Sequence, residues 1–524
     1  MGEVHATAAR AFSEAGVKRA FTVASAHNLE LLDALESADI EVIPSRCELS
    51  AGHMADGHAR KSGQATLLVT STGPGAGNSV GAFATAAKDC SPLIHVTTSN
   101  EYANAQTVHR VPEQSDWHQA FDAPMIDLGD QDVGHLRQVL KSRIGALTVV
   151  VPYRSDRQRG LERSSGEMSS KSVAVAPSGD SEDLAAALSP WLAATRRLLW
   201  IGGGARLAGR DVLIQLAELS GAAVFTSIQG KDLFPHDHPQ FVACTLQSNL
   251  SRSVARTGEV CLALGSRMSE TSTATWTRDF PPLLLRVARS GDNPEWPQVD
   301  IRSVGDDVAA LGAALLRSLM TQPIPSFGRE AGEQALRMRT QLDRSTPQYG
   351  LLEAITSHLS ANDTFVCDTT KMAFWAIGGS RLPAGSRFLF PGLLSMGFGV
   401  PAGVGACWAA PDAHTIVLTG DGSLLSVLPV LDDVARAPGR ISIVLMDDDG
   451  YGILRPRATE TVAGELCTFP GPDWESVASA FGIEYVDVGD PLDLSRALDD
   501  RRTHRPVILR LDGSGLTMGG WTEA

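Results

Sequence analysis

Short apolar runs recur along this 524-residue chain, each halted by glycine, proline or a small polar residue and each followed by a longer amphipathic stretch. Runs of that length bounded by turn residues are buried strands. The amphipathic stretches between them are helices, so the pattern is one of parallel sheets covered on both faces. In the first third, EVIPS, ATLLVTS, LIHVTT and LTVVVP are the predicted strands; in the middle, RLLWIGGG, AAVFTS, VCLALGS and LLLRVA; in the last, TFVCDT, HTIVLTG, ISIVLMD and PVILRL. Two polar stretches interrupt the alternation and read as connectors: 154–182, rich in Ser, Arg and Gly, and 321–347, with prolines near both ends. The fold class expected is therefore α/β, three doubly wound parallel-sheet domains at residues 1–165, 183–322 and 345–515.

Composition narrows the function classes. A hydrophobic share of 43% with 20% charged residues suits a globular protein, and no run is long enough to span a bilayer. A formal charge of -15 argues against nucleic acid as a partner, since phosphate backbones need clustered Lys and Arg. The seven cysteines are scattered without a CxxC pair, the pattern of reduced thiols rather than of a disulfide framework or zinc site. The first residues, MGEVHATAARAFSEAG, read as an amphipathic helix without a signal-peptide apolar core. Together these point to the cytoplasm.

The chemistry concentrates where two strands end. The run His414 to Leu418 stops at GDGS, and the run Ile441 to Met446 stops at DDDG, placing Asp421 and Asp448 27 positions apart. Ligands of open α/β sheets bind at the carboxyl ends of the strands. Gly420 and Gly422 allow a tight turn and close approach, and Ser423 opens a helix whose amides favour an anion. Either piece alone is an ordinary turn or a solvated acidic loop. At the ends of strands joined by a single helix they describe Mg²⁺ bridging carboxylates to a diphosphate, because Mg²⁺ takes few carboxylates plus substrate phosphates.

GDGS with its second acidic run resembles the thiamin-diphosphate motif of the acetolactate-synthase-like and 2-oxo-acid decarboxylase enzymes, relatives of benzoylformate and pyruvate decarboxylases. RCELSAGHMADGHAR at 46–60 is similar to the glutamate-bearing helix of that family. STGPGAGNSVGAFATAAKDCSP at 71–92 is similar to its glycine-rich turn, and PGLLSMGFGVPAGVGAC at 391–407 to its cofactor-pocket segment; GKDLFPHDHP and LGSRMSE match in the middle. The resemblance implies a pyrimidine-binding, a central and a diphosphate-binding domain. It implies Asp421, Asp448 and the Gly450 carbonyl as Mg²⁺ ligands, although the family more often has Asn where Asp448 stands. It also implies cofactor contacts from Glu48, Thr369, Thr370, Leu394, Met396, Gly420, Gly422, Ser423, Tyr451 and Gly452. Glu48 would favour the imino tautomer of the aminopyrimidine, and Met396 would be the apolar wedge that folds the cofactor. Asp448→Asn is expected to be tolerated, since it restores the commoner residue.

Pocket residues are less distinctive. His27 lies in a segment similar to the loop near the substrate, and Ser71 falls where benzoylformate decarboxylase carries a catalytic His. His109, Gln114 and His118, in VHRVPEQSDWHQ, are further candidates. FAD is not expected, because MSETSTA and FVACTLQ match the flavin-binding segments of acetolactate synthases poorly and IGGGAR is only a glycine cluster. The activity implied is non-oxidative decarboxylation of a small-molecule 2-oxo acid, with carboligation to a second carbonyl as a possible outcome. An acetolactate-synthase-like carboligase, a C–C hydrolase and a non-catalytic cofactor-binding relative are the alternatives. The resemblance also implies a homodimer or homotetramer with sites at subunit interfaces.

Overall fold

A computed structural model describes residues 2–100, 121, 123–128, 133–141, 145–153, 181–288, 295–305, 307–320, 323–342, 346–455, 462–500 and 505–517. The first sheet comprises β1 (Arg19–Thr22), β2 (Glu41–Pro44), β3 (Thr66–Thr70), β4 (Leu93–Asn100), β5 (Met125–Asp127) and β6 (Leu147–Tyr153). The second comprises β7 (Arg197–Ile201), β8 (Ala223–Thr226), β9 (Phe241–Cys244), β10 (Val260–Leu264), β11 (Leu283–Val287) and β12 (Asp300–Gly305). The third comprises β13 (Thr364–Cys367), β14 (Arg387–Leu389), β15 (His414–Gly420), β16 (Arg440–Asp447), β17 (Glu484–Val488) and β18 (Val507–Asp512). The spatial orders are β2-β1-β3-β4-β6-β5, β12-β11-β10-β7-β8-β9 and β14-β13-β15-β16-β18-β17. Neighbouring strands pair in parallel, as continuous apolar runs covered on both faces require.

The first and third sheets share a core. Phe21, Met54 and Leu68 from one side and Phe398, Val404 and Val417 from the other belong to a single buried cluster. Its seam is two helices, Glu48–Ser62 and Gly399–Ala409. They approach so closely that a Cβ on Gly57 would lie 2.1 Å from the Ala402 carbonyl oxygen, and one on Gly405 1.9 Å from that of Met54. Arg60, buried on the first of these helices, holds Asp56 and Asp89 at 2.6 Å each and donates to the Phe390 carbonyl at 3.0 Å and to Gln229 at 3.3 Å. Two carboxylates on one guanidinium keep that charge paired where an unpaired one would be costly.

Two expectations are corrected. The stretch 321–347 is not merely a connector: it contains a helix, Phe327–Leu342, packed on β8 and β9. Its buried stripe is Gly328, Ala331, Gly332 and Ala335, and a Cβ on Gly332 would stand 2.0 Å from the Pro239 carbonyl oxygen. Small residues at i, i+3, i+4 and i+7 make a helical face that an apolar count overlooks. The link between β15 and β16 also differs, with two short helices, Asp421–Ser426 and Val430–Ala435, in place of one. Among the described residues no helix is long and apolar enough to cross a membrane, and all seven cysteines are free.

Candidate functional site

The carboxyl edge of the third sheet gathers most of the residues singled out above. Gly420 on β15 is in register with Met446 on β16, so Asp421 and Asp448 leave adjacent strands side by side. The Gly450 amide donates to Asp421 Oδ2 at 2.7 Å. Gly450 achieves this with φ +137, a conformation natural to glycine. Burial pushes the Asp421 carboxyl up to about 6; the Gly450 and Gly422 amides oppose that shift, and the charges of Asp448 and Asp447 add to it.

Asp448 is also buried, and its Oδ2 lies 2.8 Å from Lys371 Nζ. A Cβ on Gly452 would fall 1.8 Å from the same oxygen, so only glycine leaves that carboxylate its place. Gly422 similarly leaves room for the Tyr451 ring, which stands edge-on to Phe469 at 5.0 Å. Ser423 is buried in the first turn of the Asp421–Ser426 helix.

The strand on the other side of β15 contributes the threonines. Thr370 caps the Lys371–Gly379 helix, its Oγ1 accepting from the Ala373 amide at 3.2 Å, while Thr369 Oγ1 donates to the Ser395 carbonyl at 3.4 Å. Beyond Ser395 the segment after β14 presents Leu393, Leu394 and Met396 at 44%, 39% and 41% exposure, with Leu394 at φ +56. Three neighbouring apolar side chains left this open are suited to being covered by something else.

Sequence reasoning missed two residues of this edge. Asp368 is buried and accepts from the amides of Gly399 and Thr369, at 3.0 Å each, and from Thr419 Oγ1 at 3.3 Å. It thereby ties the ends of β13 and β15 to the start of the Gly399–Ala409 helix. The other is Lys371. Their signal, an aspartate and a lysine flanking two threonines after TFVC, was present but unspecific.

The first sheet places its candidates on its own carboxyl edge: Glu48 after β2, His27 after β1 and Ser71 after β3, in the spatial order of those strands. Glu48 opens its helix, and its Oε2 accepts from Asn78 Nδ2 at 3.2 Å. Ser71 and Glu48 converge, since a Cβ on Gly75 would lie 2.4 Å from Ser71 Oγ and 3.3 Å from Glu48 Oε1. His27 is half-buried in a loop pinned by Asn28, which accepts from the Ser25 amide and donates to the Val23 carbonyl. Thr85 Oγ1 meets Ser395 Oγ at 3.1 Å, joining this sheet's helices to the segment that carries Met396. His109, Gln114 and His118 lie outside the described residues.

The donor set fits a hard cation. Among the described residues no group of three or more His, Cys, Asp or Glu side chains forms a cage by itself. Two buried carboxylates leave positions for oxygens from elsewhere, the way Mg²⁺ is usually held.

Known proteins are similar to the chain across all three sheets. Residues 3–124, 184–310 and 368–511 match the N-terminal TPP-binding, central and C-terminal TPP-binding domains of thiamine pyrophosphate enzymes. The chain is 28% identical to "Probable 2-ketoarginine decarboxylase AruI" of Pseudomonas aeruginosa, with 94% of this chain and 90% of that protein covered. It is 24% identical to the acetolactate synthase isozyme 1 large subunit of Escherichia coli, covering 93% and 89%. It is likewise 24% identical to the isozyme 3 large subunit, covering 96% and 94%.

Proposed function

We infer, from a chain that belongs to the thiamine pyrophosphate enzyme family, that this protein is a thiamin-diphosphate- and Mg²⁺-dependent enzyme acting on a 2-oxo acid by non-oxidative decarboxylation. The observation that carries the reading is the pairing of two strand-end constellations, Asp421, Gly450 and Asp448 on one sheet and Glu48 with Ser71 on the other. When bound, the cofactor supplies a reactive carbon and an electron sink for the departure of CO₂. Asp421, Asp448 and the Gly450 carbonyl would hold the cation, and Ser423, Thr369 and Thr370 would face the diphosphate. Glu48 would hold a proton toward the aminopyrimidine ring. Leu394 and Met396 would set the shape of the pocket and exclude water from it. His27 and Ser71, at the edge of the first sheet, would face the substrate.

A second reading, carboligation to another carbonyl, is favoured by the relatives named as acetolactate synthases. The relative named as a ketoarginine decarboxylase makes a 2-oxo acid with a basic side chain a necessary member of any substrate panel. Calorimetry should find thiamin diphosphate binding that requires a divalent cation and is abolished in Asp421→Ala. CO₂ release should follow with at least one of pyruvate, branched-chain, aromatic, basic or longer 2-oxo acids. Undiminished affinity in Asp421→Ala would defeat the metal-site assignment.

We also propose that the exposed Leu393, Leu394 and Met396 face the Glu48-bearing domain of a second copy, in a homodimer or homotetramer. Light scattering at assay concentration should find no active monomer; one at full activity would exclude this assembly.

A further inference from the structure

Lys371 is an unusual residue for its place. It is the first residue of the Lys371–Gly379 helix, where the helix dipole disfavours a cation, and its side chain is only 11% exposed. Nothing in the helix itself requires a positive charge there. What accounts for it lies across the sheet: Nζ sits 2.8 Å from Asp448 Oδ2 and donates to the Gly513 carbonyl at 3.0 Å. Gly513 in turn donates its amide to the Asp447 carbonyl at 2.7 Å. One ammonium therefore ties together the ends of β13, β16 and β18, and its charged partner is a residue assigned above to the cation.

The charge count gives this a meaning. Counting positions 371, 421 and 448 alone, and leaving the lysine aside, an Asn at 448 leaves Asp421 as their one carboxylate, for a net charge of −1. Here Asp421 and Asp448 supply −2 and Lys371 +1, which is again −1. Resting on the thiamin diphosphate reading above, we propose that Lys371 and Asp448 form a compensating pair at the cofactor site. The lysine offsets the additional carboxylate and presents its ammonium to the diphosphate; neither residue is replaceable alone. On this proposal Asp448→Asn is not innocuous, contrary to the expectation from sequence. That substitution strands a largely buried ammonium beside the incoming divalent cation, and like charges in a poorly solvated site repel strongly.

A double-substitution cycle tests the pair with binding readouts. Mn²⁺ affinity would be measured on the cofactor-free enzyme by electron paramagnetic resonance, and thiamin diphosphate affinity by calorimetry at saturating Mg²⁺. Lys371→Met should tighten Mn²⁺ binding, because two carboxylates are left uncompensated, and should weaken thiamin diphosphate binding. Asp448→Asn should weaken Mn²⁺ binding by about tenfold, the scale of coupling between charged groups in contact. The double variant should return Mn²⁺ affinity to within a few-fold of wild type. Lys371→Gln, which keeps a polar end, serves as the alternative should Lys371→Met not fold. A Lys371→Met variant with unchanged Mn²⁺ affinity, or a double variant that binds Mn²⁺ as weakly as Asp448→Asn alone, would overturn the pairing, and an unchanged thiamin diphosphate affinity in the Lys371 variants would overturn the diphosphate contact. A wild-type enzyme that binds no thiamin diphosphate with Mg²⁺ would instead overturn the functional reading on which the pair rests.

Discussion

The first and third sheets run in the same strand order. Counted within each, both read 2-1-3-4-6-5, whereas the middle sheet reads 6-5-4-1-2-3. In the two alike, the winding reverses between local strands 1 and 3, and such a reversal opens a crevice at the carboxyl ends. The loops flanking it hold His27 and Ser71 in the first sheet and Thr369, Thr370, Lys371 and Asp421 in the third. The chemistry then diverges. The first edge carries a partly exposed carboxylate, Glu48, held by a neutral amide; the third carries buried carboxylates matched by a largely buried ammonium. Shared topology chose the place, and the residues on the loops set a single carboxylate on one side against two carboxylates and an ammonium on the other.

Three measurements bear on that division. The largest effect is expected from Glu48→Gln. If the first edge handles the proton and the third holds the diphosphate, turnover should fall by about 10²- to 10⁴-fold, the usual contribution of an acid–base group. Thiamin diphosphate affinity should change little. Exchange of the cofactor C2 proton, followed by quenched NMR, isolates the step. Equal exchange rates in wild type and variant would end the assignment.

A smaller effect is expected where the two sheets meet. Gly405→Ala sets a methyl against the Met54 carbonyl, and such overpacking typically costs about 1–3 kcal/mol. Thermal denaturation should record the loss. An unchanged melting temperature would mean that the helices can part without consequence.

The smallest effect is a pH dependence of the cofactor-free protein. Burial pushes His53 down to about 4 and His58 and His414 to about 3, so each is neutral in the fold while its unfolded counterpart protonates below about 6.5. Folded values below unfolded ones mean stability lost as pH falls through that window. Asp421 and Asp433, both pushed up to about 6, act in the opposite sense, gaining stability as pH falls toward 4. Burial also lowers His5 and His358 and raises Asp89 and Asp368, so five histidines stand against four aspartates and the net sense is a small loss of stability on acidification from 6.5 toward 4. Denaturant titrations at several pH values would measure it; a flat profile would indicate that these histidines are hydrated.

How much of this was legible beforehand depended on where each strand lies. The twelve strands marked by apolar runs are present. The six unmarked ones are β1, β5, β9, β12, β14 and β17, and all but β1 are sheet edges. Edge strands are short or half-solvated, as in β12 and β17, where exposed positions outnumber buried ones, so they never need an apolar run. The Phe327–Leu342 helix escaped for a related reason, its buried stripe being glycine and alanine rather than large apolar residues.

By itself the sequence determined the three-part α/β organisation, because buried parallel strands must be apolar along their whole length. It also marked Asp421 and Asp448, because strand ends that turn acidic and glycine-rich stand out against such runs, whereas Glu48 stood out only through the resemblance of its helix. Only the tertiary structure decided what those residues meet. Asp421 finds the Gly450 amide, Glu48 converges with Ser71, Asp368 gathers three segments, and Lys371 faces Asp448. Each of these contacts joins the ends of different strands, and the order in which parallel strands lie side by side is settled by the packing of whole helices and sheets, not by any local stretch of chain.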